Sequence, residues 1–319
     1  METETDVPIR HRLKGRDFIK FVDYSAGDLF DLLQMADEMK KSRNTGIQAE
    51  PLKGKTLGML FEKPSTRTRV SFEAGISQLG GTGIFLESGH LQLGRGETIA
   101  DTAKVLSGYL DGMVIRSFSQ ELVEAFATHA TIPVINGLTD VYHPCQVLAD
   151  LQTIRETKGS LKGIKLSYLG DGNNMAHSLM IGAAITGMDI SIAAPDDYWP
   201  DTAVVQKALA IAAYSGSEVH ITSDLYDAVR QADVLYTDVW ASMGQEDERS
   251  SREVMFSDFQ VNKTLLAAAK RDAIFMHCLP AHRGEEVTAD VIDGVQSVIF
   301  QQAENRLHAQ KALMTALMG

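Results

Sequence analysis

What most constrains this chain is an alternation of short apolar runs with longer helical patterns, repeated in two series. In the first, residues 56–61, 84–86, 112–115 and 133–135 read as strands, because short apolar runs bounded by turn residues suit buried strands. Helical patterns separate them near 68–79, 98–109 and 120–129. An earlier helix begins where Ser25 and Asp28 form an S-x-x-D cap signal ahead of Leu29, Leu32, Leu33 and Ala36. A polar break, Lys158-Gly159-Ser160, precedes the second series. Its strands are expected at 165–169, 189–193, 218–221, 234–236 and 274–276. Helices are expected between them, including 175–185 and 203–214, and residues 301–318 read as a final helix. Neighbouring parallel strands need long crossovers, which helices supply. The pattern therefore predicts an α/β chain with two doubly wound parallel-sheet domains, joined near 145–160 in a helix that starts after Pro144.

At 319 residues there is room for two such domains. Thirty Lys and Arg against 42 Asp and Glu give a net charge of −12. That argues against a nucleic acid or an anionic membrane as partner of the whole surface, while leaving room for a local basic pocket. Only Cys145 and Cys278 occur, so no disulfide framework is expected and a reducing compartment fits. The opening residues METETDVPIRHRLKGRDF have no apolar run of the secretory kind. No run approaches the 18 apolar residues of a membrane span. A cytoplasmic location is expected.

In doubly wound sheets, ligands sit beyond the carboxyl ends of the strands. Chemistry is therefore sought in the loops that follow them. The first reads Phe61-Glu62-Lys63-Pro64-Ser65-Thr66-Arg67-Thr68-Arg69. Hydroxyls and two guanidinium groups gather there at a helix start, which suits a phosphate or other oxyanion. The plainer reading is a Ser/Thr cap with solvated arginines, but cations at a helix N-terminus oppose its dipole unless an anion compensates. Arg116 ends the third strand, and Tyr142-His143-Pro144-Cys145-Gln146 follows the fourth. Taken singly, Arg116 suits a surface and His143 a cap; together with the 61–69 loop they suit an oxyanion site.

In the second half, Asp238-Val239-Trp240-Ala241-Ser242-Met243-Gly244 follows a strand. Asp238 suits either an ammonium group or a local turn cap. His277-Cys278-Leu279-Pro280 also stands at a strand end, where Cys278 suits a nucleophile, a substrate contact or packing. His277, Cys278 and His282 lack a fourth partner at metal-like spacing, so no metal is expected. Two look-alikes drop out. Gly54-Lys55-Thr56 lacks the first glycine of a phosphate-binding loop, that place being Ala49, and it precedes a strand. Gly170-Asp171-Gly172-Asn173-Asn174-Met175 lacks the third glycine of a dinucleotide fingerprint.

Residues 61–69, F-x-x-P-S-T-R-T-R, resemble the carbamoyl-phosphate loop of the aspartate/ornithine carbamoyltransferase family. His143-Pro144-Cys145-Gln146 resembles its H-P-x-Q motif. Residues 238–244, 277–280 and 302–306 resemble D-x-x-x-S-M-G, H-C-L-P and Q-A-E-N-R of its ornithine branch. The five motifs fall in family order over nearly the whole chain.

The resemblance implies a carbamoyl-phosphate domain of residues 1–145 with 303–319, the last helix returning to it, and an ornithine domain of residues 146–302. Ser65, Thr66, Arg67 and Thr68 would hold the phosphate, and Gln92 would reach a neighbouring subunit's phosphate site. Arg116, His143, Gln146 and Arg306 would hold the carbamoyl group, with Cys278 and Leu279 lining the reaction centre. Asn174, Asp238, Ser242 and Met243 would contact ornithine. Arg67, Arg69, Arg116 and Arg306 are expected to meet near one phosphate-bearing substrate. Cys145 is expected to act through packing.

The implied reaction is carbamoyl phosphate plus L-ornithine giving L-citrulline and phosphate, within arginine metabolism and amino-acid biosynthesis. Arg116, His143, Asp238, Cys278 and Arg306 would be the catalytic groups. Neither metal nor organic cofactor is implied. The implied assembly is a homotrimer or a multiple of trimers, and two domains holding two substrates suggest closure. Rival acceptors are aspartate, acetylornithine and putrescine. A non-catalytic carbamoyl-phosphate-binding subunit is the rival of another class.

Overall fold

The computed structural model describes residues 9–46, 49–87, 96–242 and 244–319. Gln92 and Met243 lie outside them. The chain divides into two compact units. The first comprises the residues up to Gln152 together with Asn305–Gly319, and the second is Thr153–Glu304. Both boundaries fall inside helices, Pro144–Lys158 and Ile299–Met318.

Among the described residues the first unit holds four strands: β1 Thr56–Phe61, β2 Thr82–Glu87, β3 Gly112–Arg116 and β4 Val134–Leu138. They are parallel throughout, in the order β2-β1-β3-β4. The chain steps from β1 to one edge, then crosses back to place β3 and β4 on the other side. That reversal makes a doubly wound sheet with its switch point between β1 and β3. β4 starts one residue after Pro133, which has no N–H to give a ladder, and it runs on through Gly137. The core gathers Leu60, Met113, Ile115, Val123, Phe126 and Val134. Such strands read as continuous apolar runs because parallel sheets are covered on both faces. The helix Ala26–Asn44 opens with the expected capping box: Ser25 Oγ accepts from Asp28 N–H, and the Asp28 carboxylate accepts from Ser25 N–H.

The second unit holds β5 Lys165–Leu169, β6 Asp189–Ala193, β7 Val219–Thr222, β8 Val234–Thr237 and β9 Ile274–His277 among the described residues. Their order is β7-β6-β5-β8-β9, again all parallel. The switch point lies between β5 and β8. Leu235, Phe275, Phe256 and Val291 anchor its core. Short helices at Leu225–Val229, Arg249–Met255, Lys263–Ala267 and Ala289–Ile292 are too brief to show an apolar stripe in sequence.

The C-terminal segment closes the first unit. Gly15 N–H donates to Leu317 O at 2.9 Å, and Lys311 Nζ donates to Gln78 Oε1 at 3.1 Å. Two glycines let it approach: a Cβ at Gly75 would lie 2.9 Å from Met314 Cε, and one at Gly112 would lie 2.9 Å from Met318 Sδ.

Gly172, in the loop after β5, meets backbone instead. A Cβ there would fall 2.3 Å from Pro200 N and 2.5 Å from Trp199 C. Backbone cannot turn aside as a side chain can. Gly172→Ala is therefore expected to lower stability by about 2–3 kcal/mol, read as a drop in the urea midpoint without change in slope. An unchanged midpoint would show that the 198–200 segment yields freely.

Candidate active site

At the first switch point, the loop after β1 leads into the helix Thr66–Gln78. Ser65 caps that helix, its Oγ accepting from Thr68 N–H at 3.2 Å. Thr66 is exposed, Ser65 and Arg67 are half-buried, and Thr68 is buried. Arg116 ends β3, one strand over, with 6% exposure. His143 stands just before the helix Pro144–Lys158, and Gln146 is in its first turn. Arg306 comes from the C-terminal segment.

Arg306 is fixed on three sides. Its Nη1 donates to Gln146 Oε1 at 2.6 Å and its Nη2 to Thr68 Oγ1 at 3.2 Å. The amide of Gln310, oriented to satisfy its neighbours, accepts from Arg306 Nε at 3.2 Å and donates to Ser71 Oγ at 2.6 Å. Gln146 is in turn held by Asp150, to which its Nε2 donates at 2.9 Å. Such chains cut the freedom a long side chain loses on meeting a ligand. Gln310 and Asp150 belong to no motif in the sequence, and nothing there marks them.

His143 reports the local charge. Burial, then the guanidinium groups of Arg306, Arg116 and Arg67, push its imidazole well below the ordinary histidine range. It is neutral at pH 7 and keeps one N–H to offer an oxygen. Three cations around a neutral histidine at a helix N-terminus form a place prepared for an anion. Arg69 departs from expectation. Its guanidinium lies 3.7 Å from the Phe85 ring centroid, and its Nε is 3.3 Å from Glu73. Residues two apart on a helix face different ways, so Arg67 and Arg69 do not share the cradle. Cys145 is buried against Asn136 O, its Sγ donating at 3.2 Å, and burial pushes its thiol up to about 12.

At the second switch point, Asp238 follows β8 and Asn173 and Asn174 follow β5. Asn173 caps the helix Asn174–Thr186, its Oδ1 accepting from Met175 and Ala176 N–H. Its Nδ2 donates to Asp238 Oδ2 at 3.3 Å. Asn174, the residue expected to contact ornithine, is the half-buried first residue of that helix. Cys278, at the end of β9, donates its S–H to Asp238 Oδ1 at 2.9 Å. Asp238 is 7% exposed, so the site presents a nearly buried carboxylate held by polar donors. Ser242 is half-buried, its N–H donating to Gln245 Oε1 at 3.1 Å.

Two supports lie behind this group. Arg252 Nη1 donates both to Asp171 Oδ2 and to Trp240 O, each at 2.9 Å, tying the loop after β8 to the loop after β5. Burial raises the Asp171 carboxyl to about 6, against the pull of Arg252. Behind Cys278, Gln302 Oε1 accepts from His277 N–H and Gln302 Nε2 donates to Tyr236 Oη, both at 3.0 Å. Leu279 adopts a left-handed φ of 60°, and its N–H donates to His277 Nδ1 at 2.8 Å. Residues 302–306 read as one motif, yet Gln302 serves the second unit, while Asn305, accepting from Lys40 Nζ at 2.7 Å, and Arg306 serve the first.

Residues 16–156 match the family model described as aspartate/ornithine carbamoyltransferase, carbamoyl-P binding domain. Residues 162–317 match its companion, the Asp/Orn binding domain. This chain belongs to the aspartate/ornithine carbamoyltransferase family. Among family members, an ornithine carbamoyltransferase of Oceanobacillus iheyensis is 67% identical over 310 residues, covering 97% of this chain and 96% of that protein. One of Bacillus subtilis is 57% identical, covering 96% and 95%. The solved structure of ornithine carbamoyltransferase from Pyrococcus furiosus superposes with a TM-score of 0.94 at 54% identity, covering 96% of this chain and 98% of that one. The match to the second family domain runs to 317, although residues 305–319 pack in the first unit.

Proposed function

We propose that this family member transfers the carbamoyl group of carbamoyl phosphate to the δ-amine of L-ornithine, giving L-citrulline and phosphate. The observation that carries this reading is the opposite chemistry of the two switch points. One gathers Arg67, Arg116 and Arg306 around a neutral His143, as the phosphate group of an acyl phosphate needs. The other presents Asp238 beside Cys278, as an ammonium group needs.

Ser65, Thr66, Arg67 and Thr68 hold the phosphate, with Gln92 reaching a neighbouring subunit's phosphate site. Arg116, His143 and Gln146 hold the carbamoyl group, with Arg306 at its carbonyl oxygen and Cys278 and Leu279 lining the reaction centre. Asn174, Asp238, Ser242 and Met243 hold ornithine. The δ-amine attacks as the neutral base. With a solution pKa of about 10.4, by analogy with lysine, deprotonation at pH 7 costs about 4.6 kcal/mol. The new C–N bond forms as the carbonyl oxygen takes up negative charge, which Arg116, His143 and Arg306 stabilise, each such donor being worth about 3–4 kcal/mol. The intermediate collapses by breaking the carbon–oxygen bond to phosphate, and the amine proton leaves with that phosphate. No step calls for a metal or an organic cofactor. Among the described residues no helix is long and apolar enough to cross a membrane. The family resemblance supports a homotrimer or multiple of trimers as the assembly and the cytoplasm as the location.

A colorimetric citrulline assay with carbamoyl phosphate and a panel of amines tests the reading. L-Ornithine is expected to exceed putrescine, acetylornithine and aspartate in kcat/KM by at least about 100-fold, the worth of one charged hydrogen bond near 3 kcal/mol. Preference for any other amine would overturn the acceptor assignment.

A further inference from the structure

A second cluster of ligand-type side chains lies outside the groups assigned to the reaction. His282, Glu285 and Glu286 each place one nitrogen or oxygen within 4.8 Å of the others. His282 Nδ1 lies 3.7 Å from Glu286 Oε2 and 3.9 Å from Glu285 Oε2. Those separations are long for hydrogen bonds. They are a few tenths of an ångström above the roughly 3.4 Å that separates ligand atoms around a tetrahedral cation with bonds near 2.1 Å.

Glu286 supplies the independent sign of a ligand. It is fully buried. Its Oε1 is engaged, accepting from His282 N–H at 2.6 Å and facing His277 Nε2 at 3.2 Å. Its Oε2 is buried as well, yet finds no hydrogen-bond donor among the described residues. A buried carboxylate oxygen without a donor is costly, and here it points at His282. The backbone of the turn is held from outside: Gln260 Nε2 donates to Gly284 O and Glu285 O at 2.9 and 2.8 Å. Arg249 occupies the other oxygen of Glu285, leaving Oε2 toward the cluster. The His282 side chain is 40% exposed and that of Glu285 29%, so water and ions reach the site.

We propose that His282, Glu285 and Glu286 bind one divalent transition-metal cation of the zinc or manganese class, with water completing its coordination. One imidazole and two carboxylates suit such an ion better than Mg2+ or Ca2+, which favour all-oxygen shells. The site is coupled to the motif next door. Glu286 Oε1 meets His277 Nε2, and His277 Nδ1 accepts from Leu279 N–H. A cation on Oε2 therefore shares a carboxylate with the residue that precedes Cys278.

Asp238, His277 and Cys278 form the other such group among the described residues. There the Cys278 S–H is already given to Asp238 and both His277 nitrogens are engaged, which makes it the control. The test is calorimetric titration of the full-length, chelator-stripped protein with Zn2+ alone, at pH 7.5. Wild type is expected to bind one equivalent with micromolar affinity. His282→Ala and Glu285→Gln are each expected to weaken it by at least about 30-fold, with thermal midpoints near wild type, and Cys278→Ser to leave it unchanged. No binding by wild type up to millimolar Zn2+ would overturn the proposal. So would binding that Cys278→Ser abolishes, or binding that survives both His282→Ala and Glu285→Gln.

Discussion

Replacing Arg67 with alanine is expected to reduce citrulline formation by at least about 10⁴-fold in kcat/KM while leaving the fold intact. Arg67 lies in the first turn of the helix Thr66–Gln78 and is one of three guanidinium groups acting on His143. On the proposed assignment of Arg67 to the phosphate, the substitution would remove charge-assisted hydrogen bonds worth about 1.5–3 kcal/mol. It would also remove a fixed positive charge beside the phosphate, which gains negative charge as the carbon–oxygen bond breaks, an effect worth about 3–4 kcal/mol. Stability should move the other way. A cation near a helix N-terminus opposes the dipole by about 0.3–1 kcal/mol, so the free variant should melt at or slightly above the wild-type temperature. Arg69→Ala provides the contrast. Because Arg69 stacks on Phe85 and pairs with Glu73, its loss should leave kcat/KM within a few-fold of wild type. Near-normal turnover in Arg67→Ala would remove the phosphate assignment altogether.

The second large effect is expected from Asp238→Asn, and on the other substrate. The amide keeps the size of the carboxylate but loses the charge that would meet an ammonium group. Removing one member of a buried, hydrogen-bonded charge pair costs about 2–5 kcal/mol. The kcat/KM for ornithine should therefore fall by about 10²–10³-fold. Binding of carbamoyl phosphate to the free protein, measured by calorimetry, should change little. Asn173 gives the variant a further burden, since its Nδ2 now donates to Asp238 Oδ2 and an incoming amide must turn its own oxygen to meet it. Unaltered ornithine kinetics would show that the amine is held elsewhere.

These two residues are both legible in the sequence, and the reason is physical. Asp238 directly follows β8, and Arg67 lies at the start of the helix that the loop after β1 leads into, so in each case the short strand fixes the address and the charged residue beyond it stands out. The same logic reaches Arg116, His143 and Cys278. It fails where a side chain acts across a distance that no local pattern encodes. Asn173 meets Asp238 only because β5 and β8 are neighbours in the sheet. Gln310 and Asp150 steady Arg306 through side-chain geometry that a helical stripe does not specify. Arg69 misleads for a different reason. Its two-residue spacing from Arg67 already puts it on another face of the helix, but the repeated T-R pair reads as a single cluster. β4 is assigned from Val134, one residue after Pro133, whose carbonyl still accepts from Met113 N–H at 2.9 Å while its missing N–H leaves it with no donor for the ladder.

The contact between Arg306 and Thr68 spans 238 residues of sequence. On a growing chain, everything from 153 to 304 is made after the first sheet and before the segment that brings Arg306 to Thr68 and Gln146. The first sheet must wait, with the faces of Gly75 and Gly112 uncovered, while the second unit is synthesised and free to fold. Vectorial synthesis thus reverses the order of completion: the unit begun first is finished last. Its exposed interval during translation is the time the ribosome takes to make the whole of the other unit, about 8–30 seconds at ordinary elongation rates.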